Sequence, residues 1–185
     1  MKMDKTTRIE LRRVFLLENL PEPLTRASRH WQIFDNYIEN TRLRLRSVRV
    51  PETKQWTWIL QKHAPLENSF GWEIAEIYLD EAEHAAFEIF EGREVQKNER
   101  VETLEIRKNR YFYDFGGKEI EIDSYLGELW GLILAPVYFE NSGEMEDFSA
   151  PPFAVADVSN NEFFRGKNLI GKTFADVQRE FKKFK

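Results

Sequence analysis

Cysteine is absent from this sequence of 185 residues. The chain therefore has no disulfide, thiolate nucleophile or zinc–sulfur site, and this composition fits a reducing compartment, so we expect a cytoplasmic location. No apolar run approaches the length of a membrane span, and the first residues, MKMDKTTRIELRR, lack the apolar segment of a signal peptide. No membrane association is expected.

Positive charge is in deficit, with 27 Lys and Arg against 32 Asp and Glu and a net charge of −5. This balance excludes a global basic field, so general nucleic-acid binding is not expected. An anion site would need a local concentration of basic side chains. Hydrophobic residues make up 42% and charged residues 32%, which indicates a folded chain, and the length suits one domain over 1–185.

Alternation of polar and apolar residues dominates the sequence and predicts β-strands. The predicted strands lie at 8–17, 31–40, 41–50, 54–63, 71–80, 101–115, 118–126 and 129–139. A Gly-Gly pair predicts a hairpin between the sixth and seventh strands. Helical spacing and end signals predict helices at 80–92 and 173–184. Many antiparallel strands with few helices indicate a mainly β (α+β) fold, either a barrel or an open curved sheet.

The stretch TRLRLRSVR carries three arginines at two-residue spacing. In a strand, Arg42, Arg44 and Arg46 point to one face, and Leu43 and Leu45 point to the other. The leucines are expected to face a core. The alternation alone leaves open whether the arginines face bulk water or an anion.

An ordered series of motifs resembles the CYTH superfamily, the triphosphate tunnel metalloenzymes. IELRRVFLL, TRLRLR, WTWILQK, EIAEIYLD, IRKNRYFYDF, EIEIDSY and LAPVYFE follow the order of that family's ExExK, RxR, strand-end Lys, ExE, KxRY, Asp and late ExE strands. The resemblance covers nearly the whole chain. It implies one CYTH-like domain, an eight-stranded antiparallel β-barrel that forms a tunnel and has a few flanking helices.

The resemblance also implies that basic side chains in the tunnel bind a small triphosphate or polyphosphate anion. Arginine presents a planar fork of donors that matches phosphate oxygens. The strand-end lysine has two registers, Lys62 or Gln61. The candidate phosphate-binding residues are Arg12, Arg42, Arg44, Arg46, Lys62, Lys108 and Arg110.

In the same way, the resemblance implies a divalent cation, Mg²⁺ or Mn²⁺, which prefers carboxylate oxygens. The candidate metal ligands are Glu10, Glu76 and Asp123. In the first strand, one register places Glu10, Arg12 and Val14 at the ExExK positions, and the other places Arg8, Glu10 and Arg12 there. Both registers share one inward face and keep a single glutamate.

The late ExE motif has lost both carboxylates, since Pro136 and Tyr138 occupy its positions. Fewer carboxylates mean a weaker affinity for the metal, and this loss favours a non-catalytic module that binds a phosphoryl ligand or a protein. The chemistry of the family favours a metal-dependent triphosphatase. A barrel unrelated to phosphate would require the face of residues 42–46 to point outward. Both a monomer and a homodimer remain open.

Overall fold

The computed structural model describes residues 5–66, 71–97 and 99–184, which form mainly β-structure. Their strands are β1 (Lys5–Leu17), β2 (Trp31–Tyr37), β3 (Leu43–Val50), β4 (Gln55–Pro65), β5 (Gly71–Leu79), β6 (Glu94–Lys97), β7 (Arg100–Thr103), β8 (Glu105–Phe115), β9 (Lys118–Tyr125), β10 (Ile133–Phe139) and β11 (Ala154–Asp157). Their helices are α1 (Glu81–Ala85), α2 (Ser142–Asp147) and α3 (Phe174–Phe181). None of these helices has the length and apolarity needed to cross a membrane.

Eight strands close into an antiparallel barrel in the order β1–β5–β4–β3–β2–β8–β9–β10. The long strand β1 closes it, because its first half pairs with β5 and its second half pairs with β10. The β1–β10 register runs from Leu11 opposite Phe139 to Leu17 opposite Ile133. Strand β11 also pairs with the end of β1, while β6 and β7 form a separate hairpin. The predicted fold class, a mainly β eight-stranded barrel, is confirmed.

The hairpin between β8 and β9 is also confirmed, and its strands pair from Phe115 opposite Lys118. Gly116 and Gly117 have φ angles of 62° and 82°. A two-residue turn between right-twisted strands requires positive φ at both positions, which glycine adopts without a steric penalty.

The predicted boundaries between the second and third strands of the chain are wrong. The strand predicted at 31–40 ends at Tyr37, and the one predicted at 41–50 begins only at Leu43. Between them the chain turns through Asn40, which has a φ of 57°. Asparagine tolerates this left-handed conformation, so the turn interrupts an alternation that continues on both sides.

Two later boundaries are also wrong. The strand predicted at 129–139 begins only at Ile133, because the preceding residues form a turn in which Gly131 has a φ of 109°. The segment predicted as one strand at 101–115 is two strands, β7 and β8. They meet at Leu104, where the chain changes partner strand: its backbone N–H donates to the carbonyl of Arg93 on the β6 side, and its carbonyl accepts from the N–H of Tyr37 on the β2 side.

The helix predicted at 80–92 is wrong beyond its first turns, since α1 ends at Ala85 and only a short 3₁₀ turn follows. Contacts with the barrel wall explain the change of direction. The Glu91 carboxylate accepts a hydrogen bond from Ser47 Oγ at 2.7 Å and lies 3.1 Å from His84 Nε2. These partly buried polar contacts hold the segment against the outer face of β3.

The C-terminal helix begins as predicted at a threonine cap. The Thr173 side chain accepts from the backbone N–H of Asp176, and the Asp176 side chain accepts from the backbone N–H of Thr173, which forms a capping box. The helix itself ends at Phe181 rather than at 184. Strands β6 and β11 and helix α2 were not predicted from the sequence.

Two apolar clusters hold the barrel. The first fills one end of the barrel interior and packs against the C-terminal segments; its buried members are Leu16, Ile106, Tyr125, Leu129, Leu132, Leu134, Val158, Phe164, Leu169 and Val177. The second covers the outer face of β1, β8, β9 and β10; its buried members are Phe15, Leu17, Tyr111, Ile120, Ile122, Ile133, Ala135, Val137 and Phe139. The polar part of the interior is therefore confined to the rest of the barrel.

Candidate anion-binding site

Alternate residues of the strands face the barrel interior, as the period of two requires. On β1 these are Arg8, Glu10, Arg12 and Val14, all of which line the interior cavity. Both registers that the sequence left open for this strand share this face. The interior of a barrel seldom carries so many charges, so the partners of each charge determine what the cavity can bind.

On the β2–β3 side, two predicted arginines share one carboxylate. Arg46 forms a bidentate pair with Asp35, with Nε to Oδ1 at 2.6 Å and Nη2 to Oδ2 at 2.9 Å. Arg44 Nη1 lies 3.4 Å from the same Oδ2, and Arg44 Nε donates to Gln61 Oε1 at 2.9 Å. The Asp35 side chain is only 2% exposed. Arg44 and Arg46 therefore point inward. The alternative of a barrel unrelated to phosphate required this strand face to point outward, and that requirement is not met.

On the β8–β9 side, the second pair of predicted cations meets another buried carboxylate. Arg110 binds both oxygens of Asp123, at 2.7 and 2.8 Å. Lys108 Nζ donates to Asp123 Oδ2 at 2.7 Å and lies 3.7 Å from Asp35 Oδ2. Lys108 thus joins the two carboxylate groups into one network that runs along the four neighbouring strands β9, β8, β2 and β3.

A third group lies between β1, β4 and β5. The Glu76 carboxylate accepts hydrogen bonds from Arg8 and from Gln61 Nε2, and Arg8 also reaches Glu10 at 3.3 Å. Arg12 Nη1 donates to the other oxygen of Glu10 at 3.0 Å. Each glutamate of this group is thus hydrogen-bonded to at least one guanidinium.

The interior cavity has a volume of about 380 Å³, within the usual range of small-molecule sites of roughly 300–1,000 Å³. Six basic and four acidic residues line it: Arg8, Arg12, Arg44, Arg46, Lys108, Arg110, Glu10, Asp35, Glu121 and Asp123. The buried carboxylate of Glu76, which is paired with Arg8, reduces the formal excess of positive charge in the interior to one. An enclosed excess of this sign favours an anionic ligand.

The two buried aspartates remain ionised. Burial alone would raise the pKa of Asp35, but Arg44, Arg46 and Lys108 together outweigh burial and hold that pKa well below its usual range. Arg110 and Lys108 have the same effect on the pKa of Asp123. Each carboxylate therefore stays charged and acts as the counter-ion of its cations at any physiological pH.

Two predicted phosphate-binding residues lie outside the cavity. Lys62 is exposed and pairs with Leu43 and with Ala75 on the outer face of the barrel, so the register with Gln61 facing inward is the one observed. Arg42 is exposed in the turn before β3 and does not line the cavity. The remaining five candidates, Arg12, Arg44, Arg46, Lys108 and Arg110, line the cavity.

A substitution of Lys62 tests this placement. We expect Lys62→Gln to leave the affinity for inorganic triphosphate within about twofold, because an exposed charge on the outer face is screened from the cavity. Lys108→Gln serves as the comparison, since it removes the same charge from the inside. Calorimetric titration of both variants measures the difference, and a large loss on changing Lys62 would contradict the observed register.

Several interior groups were missed in the sequence. Asp35 and His63 line the cavity, and so do Tyr37 and Glu121. Asp35 could have been noticed in the sequence, because it shares one face of the strand WQIFDNY with Trp31, Ile33 and Tyr37, which carry no charge. A lone acid on an apolar strand face is costly unless a cation meets it.

The fold as a whole can be compared with solved structures. A structure described as the hypothetical protein NE1496 matches with a TM-score of 0.55 at 20% identity, covering 89% of this chain and 99% of that chain. A structure described as the inorganic triphosphatase NE1496 matches with a TM-score of 0.53 at 20% identity, covering 86% and 93%. The fold is similar to that of an inorganic triphosphatase. No protein-family model matches the sequence, and no curated protein sequence matches it.

The likeness supports a fold shared with these two solved structures. At 20% identity it concerns the path of the backbone and not the side chains. The contents of the barrel interior must therefore be judged on the residues that this chain places there.

Those residues do not fit Mg²⁺ or Mn²⁺ as they stand. In the part of the chain that the structure describes, no three Asp, Glu or His side chains are grouped so that they could hold a metal ion. The predicted ligands Glu10, Glu76 and Asp123 are each hydrogen-bonded to arginine or lysine. Pro136 and Tyr138 line the cavity and supply no carboxylate. A cation would have to displace several guanidinium groups before it could bind.

Proposed function

We propose that the barrel interior binds a small polyphosphate anion, with inorganic triphosphate as its simplest form. The observation that carries this proposal is the convergence of Arg44, Arg46, Lys108 and Arg110 on one enclosed cavity with an excess of positive charge. Residues 1–185 would act as one such domain, as a cytoplasmic monomer or homodimer.

The chemistry of these side chains suits phosphate. Three of the four are guanidinium groups, which offer several N–H donors in a plane and pair with phosphate in a bidentate manner. Two of them already hold carboxylates bidentately, Arg46 with Asp35 and Arg110 with Asp123. Phosphate oxygens can replace carboxylate oxygens in this geometry, so the donors are already oriented for an anion.

Metal-dependent hydrolysis is the second candidate, and the likeness to a structure described as an inorganic triphosphatase is what favours it. In that case Glu10, Glu76 and Asp123 would be the carboxylates available to Mg²⁺ or Mn²⁺. The pairing of all three with cations supports binding without hydrolysis instead, as in a module that recognises a phosphoryl ligand.

Calorimetric titration with sodium triphosphate, once in EDTA and once in Mg²⁺, separates the two candidates when phosphate release is followed in parallel. We expect binding in EDTA, no strengthening by Mg²⁺ and no phosphate release, because guanidinium groups bind phosphate oxygens directly. Turnover that requires Mg²⁺ would establish hydrolysis. An absence of binding under both conditions would contradict the proposed function.

A further inference from the structure

One polar group of the cavity has no role in the ionic network described above. His63 lies on β4 two residues after Gln61, so its side chain shares the inward face and lines the cavity. Its Nε2 atom is buried and has no hydrogen-bond partner among the described residues. Buried polar atoms in native proteins are nearly always paired, so an unpaired one in a cavity marks a position where a ligand atom can bind.

The charges around His63 are mostly positive. Arg44 and Arg46 face it from β3 and Arg12 faces it from β1, while Asp35 on β2 opposes them. Two further carboxylates of this interior, Glu10 on β1 and Glu76 on β5, are each bonded to arginine. Burial and these three guanidinium groups lower the pKa of His63 to about 2. The imidazole is therefore neutral in the free protein at neutral pH. Negative charge placed beside it in the cavity would favour its protonated form.

A polyphosphate would change that field. Its several negative charges would neutralise the guanidinium groups that keep His63 neutral and would bring acceptor oxygens into the cavity. An imidazolium donates from both ring nitrogens, whereas a neutral imidazole donates from only one. The bound anion thus offsets the part of the pKa depression that the guanidinium groups cause, while burial persists, and it offers a hydrogen-bond acceptor that favours the protonated imidazole.

We propose that His63 is a ligand-binding residue of the cavity, which takes up one proton from solvent as the polyphosphate binds and then donates from Nε2 to a phosphate oxygen. The inference rests on the proposed function. It adds to the permanently charged side chains of the cavity one residue whose protonation is coupled to anion binding. Binding then strengthens as the pH falls through the pKa that His63 has in the complex, because the complex holds one more proton than the free protein.

The test is a calorimetric titration of inorganic triphosphate at pH 7 in buffers of different ionisation enthalpy, with EDTA present. The dependence of the observed heat on that enthalpy gives the number of protons taken up. Triphosphate itself also gains protons, but this contribution is common to all variants and cancels in their difference. We expect the parent protein to take up about one proton more than His63→Gln.

His30→Gln is the matched control, because the His30 Nδ1 atom lies 2.9 Å from the Ser28 carbonyl and the residue does not line the cavity. This variant is expected to take up as many protons as the parent. Between pH 8 and 6 the affinity of the parent should rise relative to that of His63→Gln by up to about tenfold per unit.

A second measurement needs no variant. The sequence has three histidines, so the imidazole ¹⁵N resonances of the labelled parent protein are few, and those of His63 should change from neutral to doubly protonated on addition of triphosphate. Binding with equal proton uptake by the parent and His63→Gln, or a neutral His63 in the complex, would overturn this inference and leave the proposed function intact. No binding by the parent would overturn both.

Discussion

Replacing Arg44 and Arg46 together by glutamine is expected to weaken triphosphate binding by about 100- to 1,000-fold, since each charge-assisted hydrogen bond is worth about 1.5–3 kcal/mol. Both side chains point into the cavity from the same strand and both reach Asp35. Calorimetric titration of the double variant measures the effect directly. An affinity within a few-fold of that of the parent protein would show that the anion, if bound, lies elsewhere.

The matched control is Arg49→Gln on the same strand. Arg49 stands on the opposite face, where it contacts Gln32 and lies over the ring of Trp56, 5.8 Å from its centroid. Its loss should leave the affinity nearly unchanged. Because the double variant leaves Asp35 without its arginines, adding Asp35→Asn to it removes the unpaired carboxylate and separates a loss of binding from a loss of folding.

Asp35→Asn alone is expected to raise the affinity for triphosphate and to lower the stability of the ligand-free protein. Triphosphate affinity should rise roughly tenfold, because the ligand no longer competes with a fixed negative charge for Arg44, Arg46 and Lys108. The free energy of unfolding of the ligand-free protein should fall by about 3 kcal/mol, since three buried cations lose their shared counter-ion. Titration calorimetry and urea unfolding measure the two effects, and saturating triphosphate should restore much of the lost stability.

Asp157→Asn is the comparison for this variant. Asp157 also pairs with an arginine, Arg13 at 2.7 Å, but its side chain is 35% exposed and lies outside the cavity. Its substitution should change the affinity for triphosphate little and the stability by about 1 kcal/mol or less. If Asp35→Asn binds triphosphate more weakly than the parent, Asp35 must instead contribute to binding.

The architecture was largely readable from the sequence because alternation reports directly which residues share a strand face. Arg44 and Arg46 were assigned to one face on this ground, and the Gly-Gly turn fixed the register of the β8–β9 hairpin. Alternation failed where both faces are apolar. In QWTWILQKH, Trp58 and Leu60 stand on one face and Ile59 on the other, so both faces are apolar. The pattern therefore could not decide whether Lys62 or Gln61 faces inward.

The ionic partners in the cavity were not readable, because alternation within one strand does not state which strand lies beside it or in which register. Asp35 and Arg46 are 11 residues apart, whereas Arg8 and Glu76 are 68 residues apart. Strand spacing states which way a side chain points but not which charge it meets on a neighbouring strand. The same limit explains why the predicted carboxylates do not form a group that could hold a metal ion, since their nearest neighbours are cations.

The apolar cluster at one end of the barrel limits how far a ligand can penetrate. Leu16, Ile106 and Leu134 fill that end together with Phe164, whereas Arg8 near the opposite end is half exposed. An extended phosphate chain can therefore insert only to a fixed depth. Phosphate groups beyond that depth would stay in water, so the barrel would recognise the end of a long chain and the whole of a short one.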